Sequence, residues 1–259
     1  MRIIGIIPAR MESSRYPGKP LAKIHGIPMV GHCYLRSKMC SLLDEVYVAT
    51  CNKEVVDYMT SIGGQAIMTA NTHERASDRA AEAMLKAEAM TGKKTDIVVM
   101  IQGDEPMLTP EMLSDAIAPM KADTSIEVLN LVGDIATREE QDDPNEVKVV
   151  VAQNGDALYF SREPIPSWKK GAQSLPMKKQ ICIIPFRRDY LLKFNSLPQT
   201  PLEIAESVDM LRVLESGGKV RMVPTAVESY SVDTPEDLNE VETAMRHDPL
   251  MAQYRHLRC

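Results

Sequence analysis

Along the first half of the chain, short β-branched apolar runs alternate with longer stretches whose apolar positions recur at helical spacing. Ile3, Ile4, Ile6 and Ile7 make a run long enough for a buried strand, and Pro8 is expected to end it because proline cannot donate to a sheet ladder. A helix opened by proline is predicted from Pro28 to about Cys40. Glu45–Thr50 alternates as a strand, Lys53–Ile62 reads as a helix closed by Gly63-Gly64, and Gln65–Met68 as a short strand. Ala76–Thr91 is an alanine-rich helix ended by Gly92, and Asp96–Ile101 is the continuous apolar run of a central parallel strand. Thr109 and Pro110 open a further helix, as N-cap and first residue. Strands and helices in this order predict βαβ units, a mostly parallel central sheet and an α/β, Rossmann-like fold.

The pattern changes after about residue 124. A strand is expected over 126–132, a solvated acidic loop at 139–143, and a hairpin over 147–160 turning at Asn154-Gly155. Residues 163–179 are rich in Pro, Lys and Ser and predict an exposed loop. A strand at 180–186, a helix at 201–216 closed by Gly217-Gly218, a strand at 219–223 and a terminal helix at 235–246 follow. The whole chain, 1–259, reads as one domain. The region of about 145–200 is expected to form an inserted hairpin and lid that covers a site and helps pair subunits.

Composition narrows the partners. The net charge of −6 argues against a nucleic-acid surface, so a local basic loop points to a small ligand. No apolar segment approaches ~18 residues, which argues against a membrane span. The N-terminus opens directly into a strand, without a signal-peptide pattern. Five cysteines without a CxxC pair fit free thiols in the cytoplasm and argue against zinc.

Three stretches carry candidate chemistry. After the first strand, Arg10, Arg15 and Lys19 are interleaved with Ser13, Ser14 and Gly18, a composition suited to cradling a triphosphate. The plainer alternative is a solvated loop that simply carries charge. After DIVVMI comes QGDEP, residues 102–106, at a strand end where ligands of open parallel sheets gather. A carboxylate there faces a triphosphate only with a divalent cation between them, which implies Mg²⁺; the alternative is two exposed acids in a turn. The third stretch is VDTPEDL, 232–238, in which Asp233 and Thr234 could be helix caps and nothing more. Neither GxxxxGK[ST] nor GxGxxG is present, which argues against a P-loop or a dinucleotide enzyme.

IIPAR followed by S-x-R-x-P-G-K-P-L resembles the opening of the sugar-nucleotide cytidylyltransferases, most nearly the 3-deoxy-manno-octulosonate (Kdo) cytidylyltransferases. HERASDR (73–79) resembles that family's H-x-S-G-T-[DE]-R loop, with Ala76 and Ser77 where the family has glycine and threonine. NEVKVV and DALYFSR resemble N-x-V-K-V-V and YALYFSR. The resemblance runs from residue 3 to about 245 and leaves DPLMAQYRHLRC outside it.

The resemblance implies transfer of CMP from CTP to the anomeric hydroxyl of a sugar acid, with release of pyrophosphate. It implies Arg10, Lys19 and Asp104 as catalytic residues. Ala9, Arg10, Arg15, Lys19, Ser77, Asp78, Arg79 and Gln102 would hold the nucleotide. Gln102, Lys148, Arg162, Gln180, Glu203 and Arg212 would hold the sugar acid. Asp104 and Asp233 would share Mg²⁺ and a second Mg²⁺ would ride on the triphosphate; Asp237 is structural, and a loop histidine such as His73, with no adjacent partner, is not assigned a role. A homodimer is also implied. The chain departs from the family at 180–187, QICIIPFR in place of HLGIYGYR, and at 206–212, ESVDMLR in place of E-x-L-E-Q-L-R. Lost hydrogen-bond partners for a substrate hydroxyl change selectivity by orders of magnitude. Two other readings therefore stand: a cytidylyltransferase for a different sugar acid or polyol acceptor, and a non-catalytic nucleotide-binding homologue.

Overall fold

Ile3, Ile4, Ile6 and Ile7 are buried and form β1 (Ile3–Ala9), the strand about which the first part of the computed structural model is built. The structure describes residues 1–12, 15–167, 177–227 and 230–257, so Ser13, Ser14 and the stretch 168–176 of the expected loop lie outside the described residues. The chain divides into two compact units, Met1–Ser114 with Ser229–Cys259, and Asp115–Glu228.

In the first unit a two-strand ribbon, β2 (Lys23–Ile24) and β3 (Ile27–Pro28), leads into α1 (Met29–Lys38). Strand β4 (Glu45–Thr50), α2 (Lys53–Ser61), β5 (Ala66–Met68), α3 (Ala76–Thr91) and β6 (Ile97–Ile101) follow. β1 pairs in parallel with β4 on one side and β6 on the other, and β4 with β5, as the alternation predicted. The chain builds outward from β1 to β5 and then returns to the opposite side of β1. The carboxyl ends of β1 and β6 therefore flank a topological switch point, where open sheets leave a ligand crevice.

One expectation fails at the head of this crevice: Pro8 lies inside β1, paired with Ala49. Alternate residues of a parallel strand bond to opposite neighbours, and Pro8 falls on the β6 side, where pairing ends at Ile6↔Met100. No ladder bond is lost there, so proline is tolerated.

The chain passes into the second unit within α4 (Pro110–Ala122), whose N-cap is Thr109 as expected, its hydroxyl accepting from Met112 N–H at 3.3 Å. The sheet of this unit has the order β12-β7-β10-β8-β9. It is built from β7 (Leu129–Asp134), β8 (Lys148–Val151), β9 (Ala157–Ser161), β10 (Lys178–Ile181) and β12 (Arg221–Pro224), with β11 (Ile183–Arg187) preceding the last of them. The β8–β9 hairpin turns as predicted, with Gly155 at a φ of 85°. The expected strand 180–186 is two strands: Ile181 faces Leu131 and Phe186 bridges Val128, so five steps are set against three and the chain bulges at Cys182.

Two further expectations are corrected in this unit. The acidic run begins a helix, α5 (Arg138–Asp142), because Thr137 and Glu140 close a reciprocal capping box. After α6 (Arg188–Ser196), the helix expected at 201–216 is two, α7 (Pro201–Glu206) and α8 (Met210–Glu215), broken where Ser207 turns left-handed at a φ of 52°.

The chain re-enters the first unit and ends in α9 (Pro235–Ala244) and α10 (Pro249–Tyr254). Val241, Met245, Met251 and Tyr254 pack there on Ile24, Ile27 and Met29. Met251 and Tyr254, from the tail outside the resemblance, are thus part of the core. Arg36 is fully buried and ion-paired with Asp248, and its Nε donates to the Tyr254 hydroxyl at 2.8 Å. That hydroxyl also meets His32 Nδ1 at 2.9 Å, while His32 Nε2 donates to the Ile24 carbonyl at 2.9 Å. Burial, and then the Arg36 charge, push the His32 pKa down to about 4.

Candidate active site

The ends of β1 and β6 come together because residue 103 is glycine: a Cβ there would stand 2.9 Å from the Pro8 carbonyl oxygen. β1 releases Ala9 and Arg10 into the crevice, and β6 releases Gln102, Gly103 and Asp104 beside them. The loop after β1 folds back so that Gly18 N–H donates to the Met11 carbonyl at 2.9 Å. Gly18 takes a φ of 78°, which glycine adopts without strain, and Lys19 with Pro20 then starts a single 3₁₀ turn. That turn aims Lys19 back into the crevice.

Lys19 is where the three sequence motifs meet. Its Nζ donates to Asp104 Oδ2 at 2.8 Å and to Asp233 Oδ1 at 3.1 Å, and Arg15 Nη1 pairs with Asp233 Oδ2 at 3.0 Å. Val232 N–H donates to the Asp104 carbonyl at 2.9 Å, which fixes the two acidic segments against each other. Burial opposes the charge of Lys19, but Asp104 and then Asp233 outweigh it and raise its pKa. The ammonium is held firmly charged.

These groups line a cavity of about 300 Å³, shared by Pro8, Ala9, Arg10, Glu12, Arg15, Gln102 and Gly103. The far wall comes from His73, Glu74, Arg75, Ala76 and Arg79, the loop into α3 and its first turns. Buried Ser77 and neighbouring Asp78 lie in the first turn of α3 but are not among the lining residues. Arg79 pins the loop from behind, with Nη1 donating to Thr69 Oγ1 at 2.5 Å and to the Ala70 carbonyl at 3.2 Å. His73 does have a partner, Glu82, whose Oε2 also accepts from Ala70 N–H at 2.9 Å while Oε1 pairs with Lys86 at 2.7 Å. Burial opposes the Glu82 charge, but Lys86, Ala70 N–H and His73 together take its pKa down to about 2. Sequence reasoning missed this pairing and the cation Arg75, although both lie in the HERASDR stretch or one α3 turn beyond it.

Among the described residues no three His, Cys, Asp or Glu side chains form a metal cage. Asp104 and Asp233 converge as two carboxylates, a donor pair that fits a hard divalent cation taking its remaining ligands from phosphate and water.

Of the residues expected to hold the sugar acid, Gln102 lines the cavity, and the other five lie in the second unit and are engaged within it. Lys148 is fully buried and donates to the carbonyls of Asp143, Glu146 and Arg162 at 2.5–2.8 Å. Arg162 spreads its fork over the carbonyls of Pro144, Glu206 and Ser207. Glu203 and Arg212 make a buried bidentate pair at 2.6 and 2.7 Å that joins α7 to α8. Gln180 donates to the buried Asn130 amide oxygen.

A profile described as "Cytidylyltransferase" matches residues 4–228. The chain belongs to the cytidylyltransferase family. It is 43% identical over 251 residues to the 3-deoxy-manno-octulosonate cytidylyltransferase of Geobacter metallireducens, covering 93% of this chain and 96% of that one. It is 42% identical over 248 residues to the protein of the same name from Nitratidesulfovibrio vulgaris, covering 94% and 96%. A solved structure of CMP:2-keto-3-deoxy-manno-octonic acid synthetase complexed with CTP superposes with a TM-score of 0.87 at 38% identity, over 98% of this chain and 100% of that one. A Bacillus anthracis thymidylyltransferase structure at 16% identity and a TM-score of 0.65 shares the fold alone. In this cytidylyltransferase Lys19 and Asp104 fall within the matched stretch, and Asp233 lies just beyond it.

Proposed function

We propose that the protein transfers the cytidylyl group of CTP to the anomeric hydroxyl of Kdo. The observation that carries the reading is the meeting of Lys19, Asp104 and Asp233 in a cavity also lined by Arg10 and Arg15. The relatives of 39–43% identity named for Kdo support that acceptor over the alternatives. The acceptor hydroxyl gives up its proton to solvent as its oxygen attacks the α-phosphorus, the bond to the bridging α–β oxygen breaks, and pyrophosphate leaves.

The protein's share of this work is positioning and charge neutralisation. Arg10 and Arg15 bind phosphate oxygens, and Lys19 offsets the negative charge that grows on the α-phosphate and the leaving group. Ala9, Gln102, Arg79 and the backbone around Ser77 and Asp78 orient cytidine. Asp104 and Asp233 would hold Mg²⁺, which when bound would supply charge neutralisation to the triphosphate and the acceptor oxygen. On the acceptor side Gln102 touches the sugar acid, and Lys148, Arg162, Gln180, Glu203 and Arg212 serve it by setting the backbone of the second unit.

The 1–259 chain is read as one cytidylyltransferase domain, consistent with relatives that align along nearly their whole length. A cytoplasmic setting is consistent with Cys33, Cys40, Cys51 and Cys182 lying outside any disulfide. No helix among the described residues is long and apolar enough to cross a membrane. A homodimer is proposed as well. Leu158 on β9 and Ile204 on α7 are each 61% exposed, and Tyr159 and Ser161 of β9 bond to Glu206 at the end of α7. Light scattering giving a monomer mass at micromolar concentration would sink the dimer.

Pyrophosphate release with CTP, Mg²⁺ and Kdo tests the reaction, with Asp104→Ala as the control. Release that vanishes in the variant supports it. Silence with Kdo and release with another sugar acid would assign the changes at Gln180 and Ile184 to acceptor choice. CTP binding with no release from any acceptor would favour the non-catalytic reading.

A further inference from the structure

Lys19 presents one ammonium to two carboxylates, at 2.8 Å from Asp104 and 3.1 Å from Asp233. Both acids are anchored by backbone. Val232 N–H holds the Asp104 carbonyl, and the N–H groups of Asp233 and Thr234 donate to Asp237 at 2.8 and 2.9 Å. The lysine stem is the flexible partner in the cluster. Mg²⁺ draws its oxygens to ~2.0–2.1 Å. The carboxylate oxygens would therefore close by about 0.7–1 Å around a metal, at a point the ammonium now fills. A lysine ammonium and a divalent cation repel and cannot share that point. A triphosphate entering between Arg10, Arg15 and Lys19 is the anion that would draw the ammonium off the acids.

We propose that Lys19 is an internal stand-in for the divalent cation, keeping Asp104 and Asp233 together and closed to metal until the triphosphate draws it away. The inference rests on reading the cavity as a CTP and Mg²⁺ site. It orders the events: nucleotide enters first, Lys19 changes partners, and only then do the two carboxylates accept metal. Lys19 thereby positions the metal ligands before it serves the phosphates.

The test measures Mn²⁺ binding to the full chain without nucleotide, by loss of the free-ion electron paramagnetic resonance signal. Lys19→Met should bind Mn²⁺ about tenfold or more tighter than wild type, as expected on removing a close, partly buried competing charge. Adding Asp104→Asn to Lys19→Met should abolish that gain. Arg15→Met, which removes a half-exposed pair to one carboxylate, should change affinity by no more than about threefold. Lys19→Gln serves as a second neutral variant if circular dichroism shows that the methionine variant does not fold. Affinity unchanged or weaker in both Lys19 variants, with Asp104→Asn still lowering it, overturns the stand-in and leaves the metal site standing. An equal gain in Arg15→Met also overturns it, since bulk charge would then suffice. No effect of Asp104→Asn in any background overturns the underlying metal assignment itself.

Discussion

Replacing Asp248 by asparagine breaks the ion pair of the tail's attachment and keeps its helix cap. Asp248 is 8% exposed and Arg36 1%, so the pair sits out of water. Asparagine keeps the side-chain oxygen that caps α10, where Asp248 Oδ1 accepts from Leu250 N–H at 2.9 Å. What it removes is the charge and, at Oδ2, the acceptor that meets Arg36 Nη2. Arg36 then retains the Tyr254 hydroxyl at 2.8 Å and the carbonyls of Met107 and Leu108 at 3.4 Å, neutral acceptors that do not balance a buried guanidinium. Breaking a buried pair from one side costs about 3–5 kcal/mol. That is a large part of a typical stability of roughly 5–15 kcal/mol. At ~2–4 °C per kcal/mol for a chain of this size, the melting temperature should fall by roughly 6–20 °C. Urea unfolding at equilibrium, followed by circular dichroism, gives the free energy. The double variant Arg36→Met/Asp248→Asn should recover most of the loss, because it removes both charges, leaves neither unpaired and keeps the cap of α10. Asp248→Asn within about 0.5 kcal/mol of wild type would refute the claim that this pair carries the tail.

Lys19→Ala should lower the rate of pyrophosphate release by on the order of 10²–10³, as for other groups that stabilise transition-state charge. A loss confined to KM for CTP would remove it from the chemical step. His32 titrates near 4 folded and near 6.5 unfolded, so the unfolded state binds more protons between those values and stability falls as pH drops through that window. The loss should reach about 3 kcal/mol by pH 4, and His32→Gln should flatten it; equal slopes in urea titrations of both proteins would contradict the assignment. Gly103→Ala places a methyl group against the Pro8 carbonyl and should cost roughly 1–3 kcal/mol while weakening CTP binding, both read by thermal shift with and without nucleotide. Unchanged melting would mean that the strand ends separate without penalty.

The parallel sheet was legible because its signal is local. Ile3–Ile7 and Ile97–Ile101 are apolar runs too short for helices and too continuous for an exposed face. Lys19 and Asp104 were legible for a related reason, since each lies in the loop that follows a strand whose end opens at the switch point. What failed was set by contacts that residue type does not announce. Ser207 takes a left-handed conformation usually reserved for glycine, so a single helical pattern hides two helices. Thr137 and Glu140 stand at capping-box spacing, yet the charges around them read as a solvated loop. Pro8 stays in its strand because of where its missing N–H points, which depends on how far β6 runs. His73 finds Glu82 one α3 face away, across a loop whose path the sequence leaves open.

Asp233 shows why a helix-start signal does not decide the role of the acid beside it. Asp233, Thr234 and Asp237 together carry more acceptors than one helix end needs, and from sequence any of them can be the cap. In the structure Thr234 accepts from Asp237 N–H at 3.2 Å, and Asp237 returns the bond to the N–H groups of Thr234 and Asp233. The capping box is complete without the Asp233 carboxylate. That carboxylate, relieved of the helix end, turns to Lys19 and Arg15 instead. The bond from Val232 to the Asp104 carbonyl holds it level with Asp104, at the end of a different element. Structural and chemical roles are therefore divided between neighbours in VDTPEDL. If so, Asp237→Ala should loosen α9 and blur the spacing of the two acids without removing either, whereas Asp233→Asn should leave α9 intact and weaken Mn²⁺ binding to the nucleotide-bound protein. An Asp233→Asn variant that binds Mn²⁺ like wild type but melts early would reverse the division and make Asp233 the cap.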